Sequence, residues 1–108
     1  MISVTHFRSA DATFVQRARA ALDVLSRRPG FVDGTLGRST DDDDAWVLVT
    51  EWANVGSYRR ALGNYDVKLR ATPLLGEALD LPSGFESLLR MAPGGAETVA
   101  VSDRDPNA

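Results

Sequence analysis

Residues 2–8 alternate in character. Ile2, Val4 and His6 fall on one side and Ser3, Thr5 and Phe7 on the other, a period of two that predicts a strand over Met1–Ser9. The period changes near Ser9-Ala10-Asp11. Phe14, Ala18, Leu22 and Leu25 then recur at helical spacing, with Val15 and Ala21 widening the stripe, and predict an amphipathic helix. Asp11 is placed to cap it, Arg27 and Arg28 suit the negative end of its dipole, and Pro29-Gly30 ends it.

Phe31–Ser39 and Ala45–Trp52 read as two strands joined by the acidic turn Asp41–Asp44, with Gly34 and Gly37 marking a bulge or bend in the first. In the second, Trp46, Leu48, Thr50 and Trp52 share one face while Val47 and Val49 hold the other. Apolar residues on both faces predict a strand covered on both sides. A two-layer domain of this size covers one sheet face with helices, so a second copy of the chain is the simplest cover for the other. Asn54 is placed to cap a helix over Val55–Arg70, whose stripe Tyr58, Leu62, Tyr65 and Leu69 is expected to face the sheet. Pro73 interrupts it and opens a short third helix, Pro73–Leu79, with Thr72 as cap. Pro82–Met91 holds a last strand in which Phe85, Ser87 and Leu89 share a face. From Ala92 onward too little apolar surface remains to offset ordering entropy, so residues 92–108 are expected to form a mobile tail behind a domain over 1–91.

The order strand, helix, strand, strand, helices, strand is a doubled split β-α-β unit. It predicts an α+β, ferredoxin-like fold with an antiparallel four-stranded sheet and helices on one face. A two-fold homodimer is the expected assembly.

Composition narrows the chemistry. Twelve Lys and Arg stand against 15 Asp and Glu in 108 residues. Four of those acids lie in the Asp41–Asp44 run, so the rest is nearly neutral and offers no basic surface for nucleic acid. Cysteine is absent and His6 is the single histidine, which disfavours thiolate nucleophiles and the usual metal sites. No apolar run approaches the roughly 20 residues of a membrane span, and the first residues lack a signal peptide's pattern. A cytoplasmic protein without metal or other cofactor is the expectation.

Arg28-Pro29-Gly30-Phe31, Leu36-Gly37-Arg38, Trp46-Val47-Leu48-Val49-Thr50-Glu51-Trp52, Tyr58-Arg59-Arg60-Ala61-Leu62, Tyr65-Asp66-Val67-Lys68 and Pro73-Leu74-Leu75 follow one another in an order and spacing that resembles the antibiotic biosynthesis monooxygenase family. The resemblance covers about residues 1–90. It implies a dimeric α/β barrel with a pocket between helices and sheet in each subunit. In the oxygenase branch it further implies a flat polyphenol such as an anthrone or quinol, oxidised by O2 without metal or flavin. Haem-degrading relatives carry a histidine on the second helix; Ala61–Thr72 contains none, which disfavours haem degradation.

Within that resemblance His6 is the natural proton acceptor, being the one side chain that titrates unperturbed near neutral pH. It enters the pocket if the Ile2/Val4/His6 face looks toward the helices; the alternative is a structural histidine at the strand end. Trp52 is a stacking wall for an aromatic substrate, or plain core. Tyr58 and Tyr65 are candidate donors to a substrate oxygen, Tyr65 joining His6 as the catalytic pair, with Asn64 and Phe85 as further substrate contacts. Arg59, Arg60 and Arg90 could hold a substrate phenolate or carboxylate, with surface ion pairing as the commoner role, and Glu51 suits a pair across the dimer or its rim. The Asp41–Asp44 run lacks the spaced ligands of a calcium loop and reads as a solvated turn. Two other functions fit the same fold: a non-catalytic dimeric module holding an apolar metabolite, and an isomerase or cyclase.

Overall fold

The computed structural model describes residues 1–104. Its elements are β1 (Ile2–Arg8), α1 (Phe14–Ser26), β2 (Phe31–Arg38), β3 (Ala45–Trp52), α2 (Val55–Leu62), α3 (Tyr65–Arg70), α4 (Thr72–Leu75), β4 (Gly84–Phe85), β5 (Leu89–Met91) and β6 (Glu97–Val99). The first four strands in space run β2-β3-β1-β4, every neighbour antiparallel. This is the α+β, ferredoxin-like arrangement expected from the element order.

Register fixes the two faces of the sheet. Ser3 lies opposite Thr50, Thr5 opposite Leu48 and Phe7 opposite Trp46, and opposed residues of an antiparallel pair point the same way. Ser3, Thr5, Phe7, Leu48, Thr50 and Trp52 are all buried, so this is the face beneath the helices. Phe7 packs on Phe14 of α1 at 5.4 Å between ring centroids, and Phe14 on Trp46 at 5.1 Å. Ile2, Val4, His6, Val47, Val49 and Glu51 form the opposite face and are half-buried. The condition for His6 to enter the helix–sheet space is therefore not met. Phe7 buries the larger ring, and a one-residue slip to bring His6 inward would turn Phe7 out.

The second helical stretch is divided rather than continuous to Arg70. Asn64 adopts extended backbone and its side chain accepts from Val67 N at 3.2 Å, capping α3. Gly63 N donates back to Arg59 and Arg60 carbonyls, closing α2. An Asn side chain that bonds its own backbone competes with helix continuation. The break resets the phase: Val67 and Ala71 are buried, whereas Tyr65 is 75% and Leu69 59% exposed. Tyr65 thus does not face the sheet. Asn54 caps α2 as expected, accepting from Ser57 N at 2.8 Å. The third helical piece is the single turn α4, with Pro73 in its first turn and no side-chain cap. Asp11 accepts from Thr13 N at 2.8 Å and forms a turn just before α1, with Thr13 at the cap position.

The last expected strand is also split. Only Gly84–Phe85 pairs with β1; Leu89–Met91 instead pairs with β6, in the segment expected to carry no element. Gly94 and Gly95, with φ of +89° and +94°, make the turn between them, a conformation glycine adopts without steric cost. Arg90 on β5 pairs with Glu51 on the open face of β3, so Glu51 finds its partner within the chain. Residues 105–108 of the expected tail lie outside the described residues.

Candidate functional site

Two cavities flank the α2 side chain Tyr58. The first, about 610 Å³, lies beneath α2, α3 and α4. Leu62, Leu75, Ala78 and Leu81 supply its apolar wall. Hydroxyls of Thr5, Tyr58, Thr72 and Ser83 supply its polar points, and Lys68 stands as its one charged lining residue. The second, about 740 Å³, is more polar and lies between α2 and the β4 edge, where Met1, Val55, Phe85 and Glu86 meet Asp103 and Arg104. Tyr58, Leu62 and Ser83 line both, so they form the partition between the two spaces. A few convergent polar groups in an apolar concavity are the usual form of a small-molecule site.

The floor of the smaller cavity has an origin in β1. Thr5 reaches it because the helix-facing side of that strand is Ser3-Thr5-Phe7. Thr5 remains 8% exposed. Opposite Ser3, Thr50 of β3 accepts from Trp52 Nε1 at 2.8 Å. Trp52 is buried, edge-on to Phe31 at 5.3 Å, and packs 5.7 Å from Tyr58. Its indole therefore stands behind Tyr58 as core, bracing the partition.

The remaining expected residues are spread around the molecule. Phe85 lines the more polar cavity. Asn64 spends its side-chain oxygen on the α3 cap. His6 lies at a third, smaller hollow of about 290 Å³ with Arg38, Trp46 and Leu79, at the far end of β1 from the two cavities around Tyr58; its carbonyl accepts from Leu79 N at 2.8 Å. The structure thus brings Tyr58 and Phe85 to cavity walls and leaves His6, Trp52, Asn64 and Tyr65 outside the apolar chamber. Thr5, Lys68, Thr72 and Ser83 were not singled out from sequence. Thr5 shares its face with Ser3 and, through the β1–β3 register, with Thr50, three small hydroxyl residues whose inward placement the strand's own sequence does not signal.

Displaced titration occurs away from the chamber. Arg8 donates to Asp42 at 2.8 Å, and this bond with the Asp44 N–H holds the Asp42 carboxyl below the usual carboxylate range. The acidic run is thereby a built turn, with Asp41 N and Asp42 N both donating to Ser39 Oγ at 3.1 Å. Among the described residues no three His, Cys, Asp or Glu side chains converge as metal ligands, and no helix is long and apolar enough to cross a membrane.

A helical roof on one face of an antiparallel sheet, with an apolar chamber between, defines a small α+β domain of the ferredoxin-like kind. The family model for antibiotic biosynthesis monooxygenase matches residues 1–68, and the chain belongs to that family. Among solved structures it is similar to SnoaB, described as a cofactor-independent oxygenase from Streptomyces nogalater. That similarity has 26% identity, covers 86% of this chain and 95% of SnoaB, and gives a TM-score of 0.69. Rv0793 from Mycobacterium tuberculosis shares the fold at 17% identity, covering 97% of this chain and 96% of its own, with a TM-score of 0.61. PA3566 from Pseudomonas aeruginosa does so at 15% identity, 84% and 93% coverage and a TM-score of 0.60. No curated protein matches the chain in sequence.

Proposed function

We propose that this protein is a cytoplasmic, homodimeric, cofactor-independent monooxygenase that oxidises a small anthrone- or quinol-like aromatic with O2 in the chamber beneath α2–α4. The observation that carries this reading is the chamber itself: about 610 Å³ with mainly apolar walls and hydroxyls at its edges, in a chain of this family. Similarity to SnoaB supports it.

The chemistry needs little from the protein. Triplet O2 reacts poorly with closed-shell molecules, and most enzymes use a cofactor for that step. An electron-rich aromatic anion passes one electron to O2 directly. Solvent takes the proton lost in forming that anion. The two radicals combine at the ring carbon, and the peroxide is protonated. Removal of the remaining proton on that carbon expels hydroxide, which becomes water, and leaves a carbonyl. One oxygen atom enters the product and the other leaves as water; the substrate supplies all the electrons. The chain's part is to orient the flat ring and stabilise its oxyanion. Tyr58, Thr5 and Ser83 line the chamber, and in this reading their hydroxyls are the donors. His6 enters only through the open face, where a second copy would cover Ile2, Val4, Val47 and Val49.

Oxygen uptake with a model anthrone or naphthoquinol tests the reading, with chelator present throughout. Uptake that saturates with substrate and falls at least about tenfold in Tyr58→Phe supports it. No uptake above the uncatalysed rate refutes it. One observation favours a second reading: the chamber holds no histidine or carboxylate as internal base. A non-catalytic binding protein would then bind the anthrone without consuming O2.

A further inference from the structure

We propose that the chamber takes its aromatic ligand as an anion, with the Lys68 ammonium at the rim pairing with an ionised carboxylate or phenolate on the ring. The inference rests on the reading of this chamber as the binding site but does not require turnover. Lys68 is the one charged residue of the lining; every other polar group there is a hydroxyl or backbone. The ion pairs among the described residues use Arg8, Arg17, Arg27 and Arg90 as their cations. The Lys68 ammonium is therefore available to a ligand.

Its position follows from the phase of α3, in which Lys68 sits about 100° round the helix from the buried Val67. The Asn64 cap restarts α3 with Val67 inward, and Lys68 comes to the rim. Thr72 lies four residues on, at the same rim. Lys68 is exposed, so its attraction for an anion at the rim is modest and screened by salt, while a cationic ligand is disfavoured there. The arrangement orients the ligand as well: the charged substituent at the α3 mouth, the rings inward along Leu62 and Leu75.

Anaerobic calorimetric titration with naphthoate and its neutral counterpart naphthalenemethanol tests this, since binding is then read independently of oxidation. In the parent, naphthoate binds about threefold to fivefold more tightly than the alcohol, the scale of one ion pair at an exposed rim. Lys68→Gln removes that preference while shifting the alcohol less than about twofold; Lys68→Arg keeps it; Lys68→Glu inverts it. Raising salt weakens naphthoate alone. Equal affinities in the parent overturn the proposal, as does a preference that survives Lys68→Gln, or binding of neither compound. Failure of oxygen uptake, with the anion preference intact, would instead overturn the oxygenase reading and leave this one standing.

Discussion

Gly30 ties the roof to the sheet, and replacing it by alanine gives a perturbation whose size can be worked from geometry. Its φ is +89°, and a Cβ built there would lie 2.3 Å from Ser57 Oγ and 2.4 Å from Ser57 Cβ. The backbone conformation costs an L-residue about 1–2 kcal/mol. The contact requires α2 to move by about an ångström, and overpacking of this kind costs about 1–3 kcal/mol. Gly30→Ala is thus expected to destabilise by about 2–5 kcal/mol, a fall in Tm of roughly 10–20 °C for a domain of this size. Thermal unfolding followed by far-UV circular dichroism measures it. The two contributions separate in a double-mutant cycle with Ser57→Gly. Alone, Ser57→Gly costs about 1 kcal/mol, from a glycine in the first turn of α2 and loss of the bond from Arg60. In combination it relieves the clash and leaves the φ penalty, giving a favourable coupling of about 1–3 kcal/mol. Because α2 carries Tyr58 and Leu62, Gly30→Ala should weaken ligand binding as well, and Ser57→Gly should restore it in step. A Gly30→Ala protein within about 0.5 kcal/mol of the parent, or a coupling near zero, would refute the account of how α2 is seated.

Thr50→Val leaves the buried Trp52 Nε1 without its acceptor at 2.8 Å and is expected to cost about 1–3 kcal/mol in denaturant unfolding, with Thr50→Ser retaining most of the stability. Asn64→Ala removes the α3 cap for about 1 kcal/mol, whereas Asn64→Asp preserves it; a direct substrate contact would instead show as lost binding at unchanged stability. The Asp42 carboxyl, held down first by its bond from Arg8 and then by the Asp44 N–H, should titrate by NMR below the ordinary aspartate range. Its contribution is complete above the unfolded-state pKa and is lost as pH falls through the depressed folded value. Arg8→Ala should return the midpoint toward the ordinary aspartate value, and an unmoved midpoint would refute the pairing.

Much of the architecture was legible because periodicity reports burial. The β3 pattern Trp46-Leu48-Thr50-Trp52 and the α1 stripe through Phe14 and Leu25 each met the expected neighbours. The choice between β1 faces was not legible. Ile2 and Val4 make the more apolar edge, yet Ser3, Thr5 and Phe7 turn inward, because register with β3 and the Phe7–Phe14 contact settle the matter. Those are long-range facts, absent from a seven-residue window. The helix break was masked similarly. Tyr58, Leu62, Tyr65 and Leu69 happen to keep helical spacing across Gly63-Asn64, and the stronger local signal was the glycine followed by a capping residue. The conditional placement of His6 in the chamber turned on the first of these, and the expectation that Tyr65 faces the sheet turned on the second.

The joint at Gly63–Asn64 also bears on how such a chamber can diversify. In one unbroken helix, inserting or deleting a residue swings every later side chain round the axis and scrambles whatever surface they made. Here the cap starts the count afresh, so length changes upstream of it leave downstream orientation intact. The wall carrying the phenol and the rim carrying the ammonium are thus separable modules, each free to drift toward a new guest molecule while the other stays fixed.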